Sequence, residues 1–193
     1  MNSIKLKAIF VAIAMTLAGS VFAAQETLDI TWSGASFGNN ATATGFITFD
    51  NASLPQNSVS GNHLPDAAIT NLGITISGAS SGNGTFNLSD FTAITFWAPS
   101  PLDLSKQLIG QTLTNGSTYG TSSPNGGDFN LFGNFGTSAP AGRIFFRLAT
   151  NGGAGDDMLV TSMMPVPEPA ESALLISGLG LIGFIASRRK KPV

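Results

Sequence analysis

The sequence predicts an all-β fold, an antiparallel β-sandwich or jelly roll, for residues 24–165 of a chain of 193 residues. Three observations lead to this prediction. Apolar side chains recur at every second position in several short segments, which is the period of a strand with one buried face. Clusters of Gly, Asn, Asp and Pro separate these segments and indicate turns. None of the segments carries the apolar stripe of an amphipathic helix, so short strands joined by frequent turns account best for the region.

The first strands are predicted from alternation in three segments, followed by a longer one. TLDITWS places Leu28, Ile30 and Trp32 on one face, GFITFD sets Phe46 against Ile47 and Phe49, and LGITIS places Leu72, Ile74 and Ile76 on one face. TFNLSDFTAITFWA is longer, and we expect a bend at Ser89 and Asp90. Successive side chains of a strand point to opposite faces, so these apolar sets predict the core.

Two more segments predict the end of the domain. RIFFRLAT directs Ile144, Phe146 and Leu148 inward and Arg143, Phe145 and Arg147 outward, and DMLVTSMM brings Met158 and Val160 to a final strand. Asn151-Gly152-Gly153 between the two segments predicts a hairpin. We interpret ASSGNG and TNGSTYGTSSPNGG as long loops of the same domain, because alternation resumes after each of them.

Composition narrows the classes of function. The whole chain has a formal net charge of −2, but residues 24–165 hold nine carboxylates against Lys106, Arg143 and Arg147, a balance near −6. This argues against nucleic-acid binding, since phosphate contacts need basic side chains. The chain has no cysteine, which excludes disulfides, iron–sulfur clusters, thiol catalysis and cysteine zinc sites. We expect no cofactor.

Residues 1–23 have the pattern of a secretory signal peptide. Lys5 and Lys7 precede an apolar run at 8–18, and Val21-Phe22-Ala23 places small residues where a signal peptidase requires them. The apolar run is too short for a comfortable membrane span. We therefore predict cleavage between Ala23 and Ala24.

Residues 172–187 form a second apolar run. As a helix its 16 residues would be about 24 Å long, against a hydrocarbon core of about 30 Å, so a thinned bilayer or snorkelling basic side chains would let it cross. The basic residues Arg188, Arg189, Lys190 and Lys191 follow directly. By the positive-inside rule they stay in the cytoplasm, which predicts a single transmembrane helix with the β-domain outside.

The residues before this helix complete a recognisable tail. Val166, Pro167, Glu168 and Pro169 come first, then the Gly-containing apolar run and the basic end. Residues 166–193 resemble the sorting tail of PEP-CTERM proteins. That resemblance implies transient anchoring in the inner membrane of a Gram-negative bacterium and cleavage near Pro-Glu-Pro by an exosortase-like membrane enzyme. It also implies delivery to the periplasm, outer surface or extracellular matrix, near exopolysaccharide.

Candidate ligand sites within the domain are few. Trp97 and Tyr119 are aromatic side chains in a polar setting, as possible contacts to a glycan. Asp128, Asp156 and Asp157 lie in Gly-rich segments and offer hard oxygen ligands for calcium, although EF-hand spacing is missing. Calcium is the weaker interpretation of these three residues: we favour turn aspartates that cap backbone groups, and we expect no metal.

The leading hypothesis is an exported, non-enzymatic cell-surface or extracellular-matrix protein, associated with exopolysaccharide or biofilm. The second is a carbohydrate-binding module with a defined glycan ligand. A distant third is a secreted glycoside hydrolase, which needs two carboxyl groups facing each other across a cleft. Residues 24–165 contain a single glutamate, Glu26, and their aspartates lie mostly in turns.

Overall fold

The computed structural model describes residues 25–50, 59–121, 123–133, 144–166 and 177–181. Several predicted features lie outside these residues: the signal peptide with Ala23 and Ala24, residues 167–169 of the tail, most of the 172–187 span, and the basic residues 188–191. They stay predictions. The described part of the span, residues 177–181, is helical. Within the described ranges, no helix combines the length and hydropathy needed to cross a bilayer.

The described part of the chain contains nine strands. They are β1 (Gln25–Ser33), β2 (Thr42–Asp50), β3 (Val59–His63), β4 (Ile69–Ser77), β5 (Gly84–Asn87), β6 (Phe91–Trp97), β7 (Asp128–Gly133), β8 (Arg147–Ala149) and β9 (Asp157–Pro165). Six of them form one sheet in the order β5-β4-β2-β1-β9-β8, and three form a second sheet in the order β3-β6-β7. Every pairing is antiparallel, which confirms the predicted all-β antiparallel class.

The inward faces of the two sheets share one hydrophobic core. Phe49 of β2 meets Phe96 of β6 with ring centroids 5.0 Å apart, and Trp32 of β1 meets Phe129 of β7 at 6.3 Å. Such tilted aromatic pairs add to the burial of apolar area that stabilises the fold. The sheets are antiparallel and curl around this core. The finer assignment to a sandwich or jelly roll remains a prediction.

The predicted alternation is confirmed in the strands that flank the core. The buried side chains include Leu28, Ile30, Trp32, Ile47, Phe49, Leu72, Ile74, Ile76, Phe146, Leu148, Met158 and Val160. The expected bend is also present, because a short 3₁₀ turn at Leu88–Asp90 separates β5 from β6. The hairpin predicted at residues 151–153 joins β8 to β9.

The segment predicted as a loop, TNGSTYGTSSPNGG, is the second half of a longer loop between β6 and β7, and this longer loop contributes to the core. Its described residues contain no strand beyond an isolated bridge between Thr112 and Thr118. Leu108 and Tyr119 are fully buried. The Leu108 N–H donates to the carbonyl of Met163 on β9 at 2.8 Å, which ties the loop to the six-stranded sheet.

Arg147 departs from the prediction. It was expected to point outward, but only 8 % of the residue is exposed. Alternation fails here because Phe146 has a left-handed φ of 61°, and residues 146–150 are all buried. The guanidinium is matched by a carboxylate: Nε of Arg147 lies 2.7 Å from Oδ1 of Asp157, and a terminal nitrogen lies 2.5 Å from the same oxygen.

Candidate functional site

The junction between the domain and its tail lies at the end of β9. Strand β9 is an interior strand, paired with β1 on one side and β8 on the other. Pro165 is opposite Leu28, and the N–H of Val166 donates to the carbonyl of Thr27 at 2.8 Å. The first residue of the predicted sorting segment is therefore still bonded to the sheet.

The two ends of the domain lie side by side. Strand β1 begins at Gln25 and runs antiparallel to β9, so the start of β1 adjoins the end of β9. Residue 25 is the second residue after the predicted signal-peptide cleavage site, and residue 166 immediately precedes Pro167. The chain consequently enters and leaves the six-stranded sheet at the same end of these two neighbouring strands.

A row of threonines crosses the outer face of the six-stranded sheet. Thr31 is opposite Thr44, Thr44 is opposite Thr75, and Thr75 is opposite Thr85. Thr161 joins the row at a bulge in the β1–β9 pairing, with its hydroxyl 2.9 Å from that of Thr31. The hydroxyls of Thr75 and Thr85 are 3.0 Å apart. We call these five side chains the hydroxyl row.

A second row runs beside the hydroxyl row and contains one aromatic ring. Asp29 is opposite Phe46, and Phe46 is opposite Gly73. The Phe46 ring packs directly against Gly73. A Cβ at residue 73 would come within 2.8 Å of this ring. The second row and every member of the hydroxyl row except Thr161 line an open groove of about 450 Å³. The groove thus combines an aromatic ring, several hydroxyls and one carboxylate, the mixture of apolar and polar groups found in small-ligand sites.

Tyr119, one of the two aromatic residues predicted to contact a glycan, is buried and cannot reach a ligand. Tyr119 is fully buried, with its ring edge-on to Phe146 at 4.9 Å and to Phe96 at 6.4 Å. It offers no surface to a ligand because the long loop carries it into the core. Trp97 ends β6 and is partly exposed. Trp97 is on the three-stranded sheet, away from the groove that Phe46 lines.

The three aspartates predicted as weak calcium candidates have structural partners. Asp128 is fully buried, and its carboxylate accepts the N–H of Phe146 at 2.9 Å and the side-chain amide of Asn130 at 2.6 Å. Asp157 accepts a hydrogen bond from Nε of Arg147. Asp156 accepts the N–H of Ser80 at 2.5 Å. Among the described residues, no three His or acidic side chains group as metal ligands would.

Tyr119 makes a spectroscopic prediction. Its hydroxyl is buried with no hydrogen-bond partner among the described residues, and burial, followed by the negative charge of Asp128, raises the pKa of Tyr119 well above 10.0. Because the folded-state pKa is raised, the contribution to stability is intact below the unfolded-state pKa of about 10 and is lost as pH rises toward the folded-state value. Tyr119 is the chain's one tyrosine, so tyrosinate absorbance reports it alone. We expect that absorbance to rise only with unfolding, whereas ionisation of the folded protein near pH 10 would contradict burial.

Fold and junction together define a class: an antiparallel all-β domain whose last strand runs directly into a sorting tail. Residues 165–190 match the family profile of the PEP-CTERM protein-sorting motif. The motif supports an exported protein that transits a membrane and is sorted by an exosortase, a membrane enzyme. No curated protein and no solved structure matches the chain.

Proposed function

We propose that this is an exported, non-enzymatic cell-surface or matrix protein, released by an exosortase-like enzyme and associated with exopolysaccharide or biofilm around a Gram-negative cell. The observation that carries the proposal is the position of the sorting motif. It begins at residue 165, where β9 ends, and Val166 still bonds to Thr27. Cleavage near Pro-Glu-Pro would remove the tail and leave all nine described strands intact.

The arrangement of the two ends supports attachment to one membrane. The start of β1 adjoins the end of β9, so a signal peptide at 1–23 and a transmembrane helix at 172–187 would both connect to the domain at this end of the two strands. A β-sandwich attached in this way would have this end of β1 and β9 facing the inner membrane. Signal peptidase and the exosortase-like enzyme would then act close together, and the second cleavage would free the domain.

Composition supports a non-enzymatic role. Residues 24–165 contain a single glutamate, Glu26, and a single histidine, His63, and the chain has no cysteine. Histidine, glutamate and cysteine are frequent general acids, bases and nucleophiles, so the domain offers few of these groups. The carboxylates of Asp128 and Asp157 are bonded to groups of the domain itself, the N–H of Phe146 and the guanidinium of Arg147. A reducing-sugar assay on neutral polysaccharides tests the glycoside hydrolase alternative, and product release would overturn the non-enzymatic part.

The sorting proposal is tested by replacing Pro167, Glu168 and Pro169 with alanine. We expect the unaltered protein to be recovered from culture medium as a chain that starts near Ala24 and lacks everything beyond Pro169. The variant should be retained intact in the membrane fraction, because the processing enzyme has lost its recognition segment. Intact-mass spectrometry of medium and washed cells measures both chains.

A matched control replaces Pro99 and Pro101, another proline pair, with alanine outside the motif. This variant should be processed like the unaltered protein. Recovery of an intact tail with Arg188 and Arg189 in the secreted fraction contradicts sorting. Normal release of the triple-alanine variant contradicts a role of Pro-Glu-Pro.

A carbohydrate-binding module with a defined glycan ligand is the second candidate. The groove beside Phe46 favours it, since a half-buried aromatic ring next to hydroxyl groups suits a sugar. The two functions are compatible, because a sorted matrix protein also needs a means of staying in the matrix.

A further inference from the structure

We infer that the groove on the outer face of the six-stranded sheet is a binding site for a neutral glycan chain. Phe46 supplies an apolar ring, and the hydroxyl row supplies hydrogen-bonding groups along one side. Sugar rings present apolar C–H faces and polar hydroxyl edges, so they match a surface that offers both at once. The inference rests on the proposed function in one respect: export would bring the domain to the polysaccharide outside the cell.

The hydroxyl row has capacity left for a ligand. A threonine hydroxyl has one donor hydrogen and two acceptor lone pairs. In the pair Thr75–Thr85 one hydroxyl donates to the other, so a second donor and further lone pairs remain. In the pair Thr31–Thr161 the Thr161 hydroxyl also lies 3.2 Å from the carbonyl of Thr31 as its donor, so lone pairs remain there for ligand donors. Thr44 lies between the two pairs. Ligand hydroxyls can therefore bond to the four members of the row that line the groove.

The dimensions favour a chain over a single sugar. The groove residues come from four neighbouring strands, β1, β2, β4 and β5. Three interstrand spacings of about 4.8 Å amount to roughly 14 Å across the sheet. That length exceeds one sugar ring, and the groove is open to solvent.

Charge selects among polysaccharides. Among the described residues that line the groove, Asp29 is the charged one, and none is a lysine or arginine. Residues 24–165 together carry a balance near −6. A polyanion would meet repulsion from both, with no cation to offset its desolvation. A neutral polyhydroxylated polymer meets neither obstacle.

A second groove in the described structure is less suited to a ligand. It is lined by residues that include Leu64, Pro65, Asn87 and Ser89. The hydroxyl of Ser89 donates to the side chain of Asn87 at 2.6 Å, and Asn87 also accepts the N–H of Ser89. These polar groups hold the turn between β5 and β6, so the first groove is the better candidate.

The test measures retention of the full chain, purified in a detergent without sugar headgroups, on immobilised polysaccharides. Dextran, amylose and cellulose are the neutral probes, and alginate is the anionic one. We expect retention on at least one neutral polymer and a weaker interaction with alginate. Phe46→Ala should reduce retention about tenfold, because it removes the stacking surface.

Further variants separate binding from folding. Thr44→Val combined with Thr75→Val keeps side-chain shape while removing hydroxyls, so it should also weaken retention. Met164→Ala is the control: Met164 is 50 % exposed on the same face, opposite Asp29, but does not line the groove. It should leave retention unchanged, and all variants should melt cooperatively.

Two results would overturn the inference: no retention on any neutral polymer, or equal retention of the unaltered chain, Phe46→Ala and the double valine variant. Stronger retention on alginate than on every neutral polymer would also overturn it. Binding is measured without processing, so its outcome is distinguishable from that of the sorting experiment. Retention without sorting removes only the proposed export route, and sorting without retention removes only the glycan site.

Discussion

Replacing Asp128 with alanine is expected to lower the free energy of unfolding by about 3–5 kcal/mol. The carboxylate is fully buried on β7, and it accepts the N–H of Phe146 and the amide of Asn130. Alanine would leave both donors buried without that acceptor, at about 1–3 kcal/mol for each unsatisfied group. Phe146 has a left-handed φ, so its backbone also loses a partner that fixes a strained conformation.

The size of this effect follows from where the bonds lie. Strand β7 belongs to the three-stranded sheet and β8 to the six-stranded sheet. Asp128 bonds to the N–H of Phe146, and Asn130 accepts the N–H of Arg147 at 3.0 Å. Side chains of one sheet thus bond to the backbone entering an edge strand of the other, in place of strand pairing. Losing Asp128 weakens the connection between the sheets as well as two single bonds.

Equilibrium urea unfolding measures the effect, with Asp128→Asn as the conservative variant. Asparagine retains an oxygen for the N–H of Phe146 but presents a second donor to Asn130, so its loss should be smaller. Asp103→Ala is the control, because Asp103 is an exposed loop residue paired with Lys106. It should change stability little, since exposed ion pairs contribute little. Equal losses for Asp128→Ala and Asp103→Ala would contradict the buried connection.

The strands could be predicted from the sequence because their signal is local. The alternation of Leu28, Ile30 and Trp32 within seven residues predicts a buried face, and neighbouring turn residues mark the ends of the strand. The sorting motif is equally local, since its signature and its basic end are read within one short segment. Neither prediction required knowledge of which strand lies beside which.

Features that depend on distant residues were not predictable. The hydroxyl row exists only because the register aligns Thr31, Thr44, Thr75 and Thr85 across four strands. Each threonine by itself is an ordinary outward residue of a strand. A one-residue shift of any strand would turn its threonine to the other face, and the groove would be lost.

The buried positions of Tyr119 and Arg147 illustrate the same limit in the core. Tyr119 lies in a Gly/Ser-rich loop, where composition indicates exposure, yet it packs against Phe146 and Phe96 from β6. Arg147 would point outward if strict alternation continued from Leu148. The left-handed φ of Phe146 ends that alternation, and a local pattern gives no sign of it.

Asp157→Ala is expected to lower the free energy of unfolding by about 3 kcal/mol. It leaves the guanidinium of Arg147 without its carboxylate, although the Arg147 side chain is only 9 % exposed. An uncompensated buried charge is costly because the surrounding groups replace water poorly. The Asp157 side chain is 28 % exposed, so water can approach part of the site and the loss should fall at the lower end of the range for buried pairs.

The double variant Arg147→Met with Asp157→Leu separates the charge effect from loss of packing. It removes both charges together and fills similar space, so its stability should be close to that of the unaltered protein. The single variant Arg147→Met should be milder than Asp157→Ala, since the carboxylate left behind is closer to water. Urea unfolding of the unaltered protein, Arg147→Met, Asp157→Leu and the double variant gives the coupling between the two positions. A double variant as unstable as Asp157→Ala would mean that the pair contributes through its geometry at the β8–β9 edge, and that charge neutralisation is not what the arginine requires.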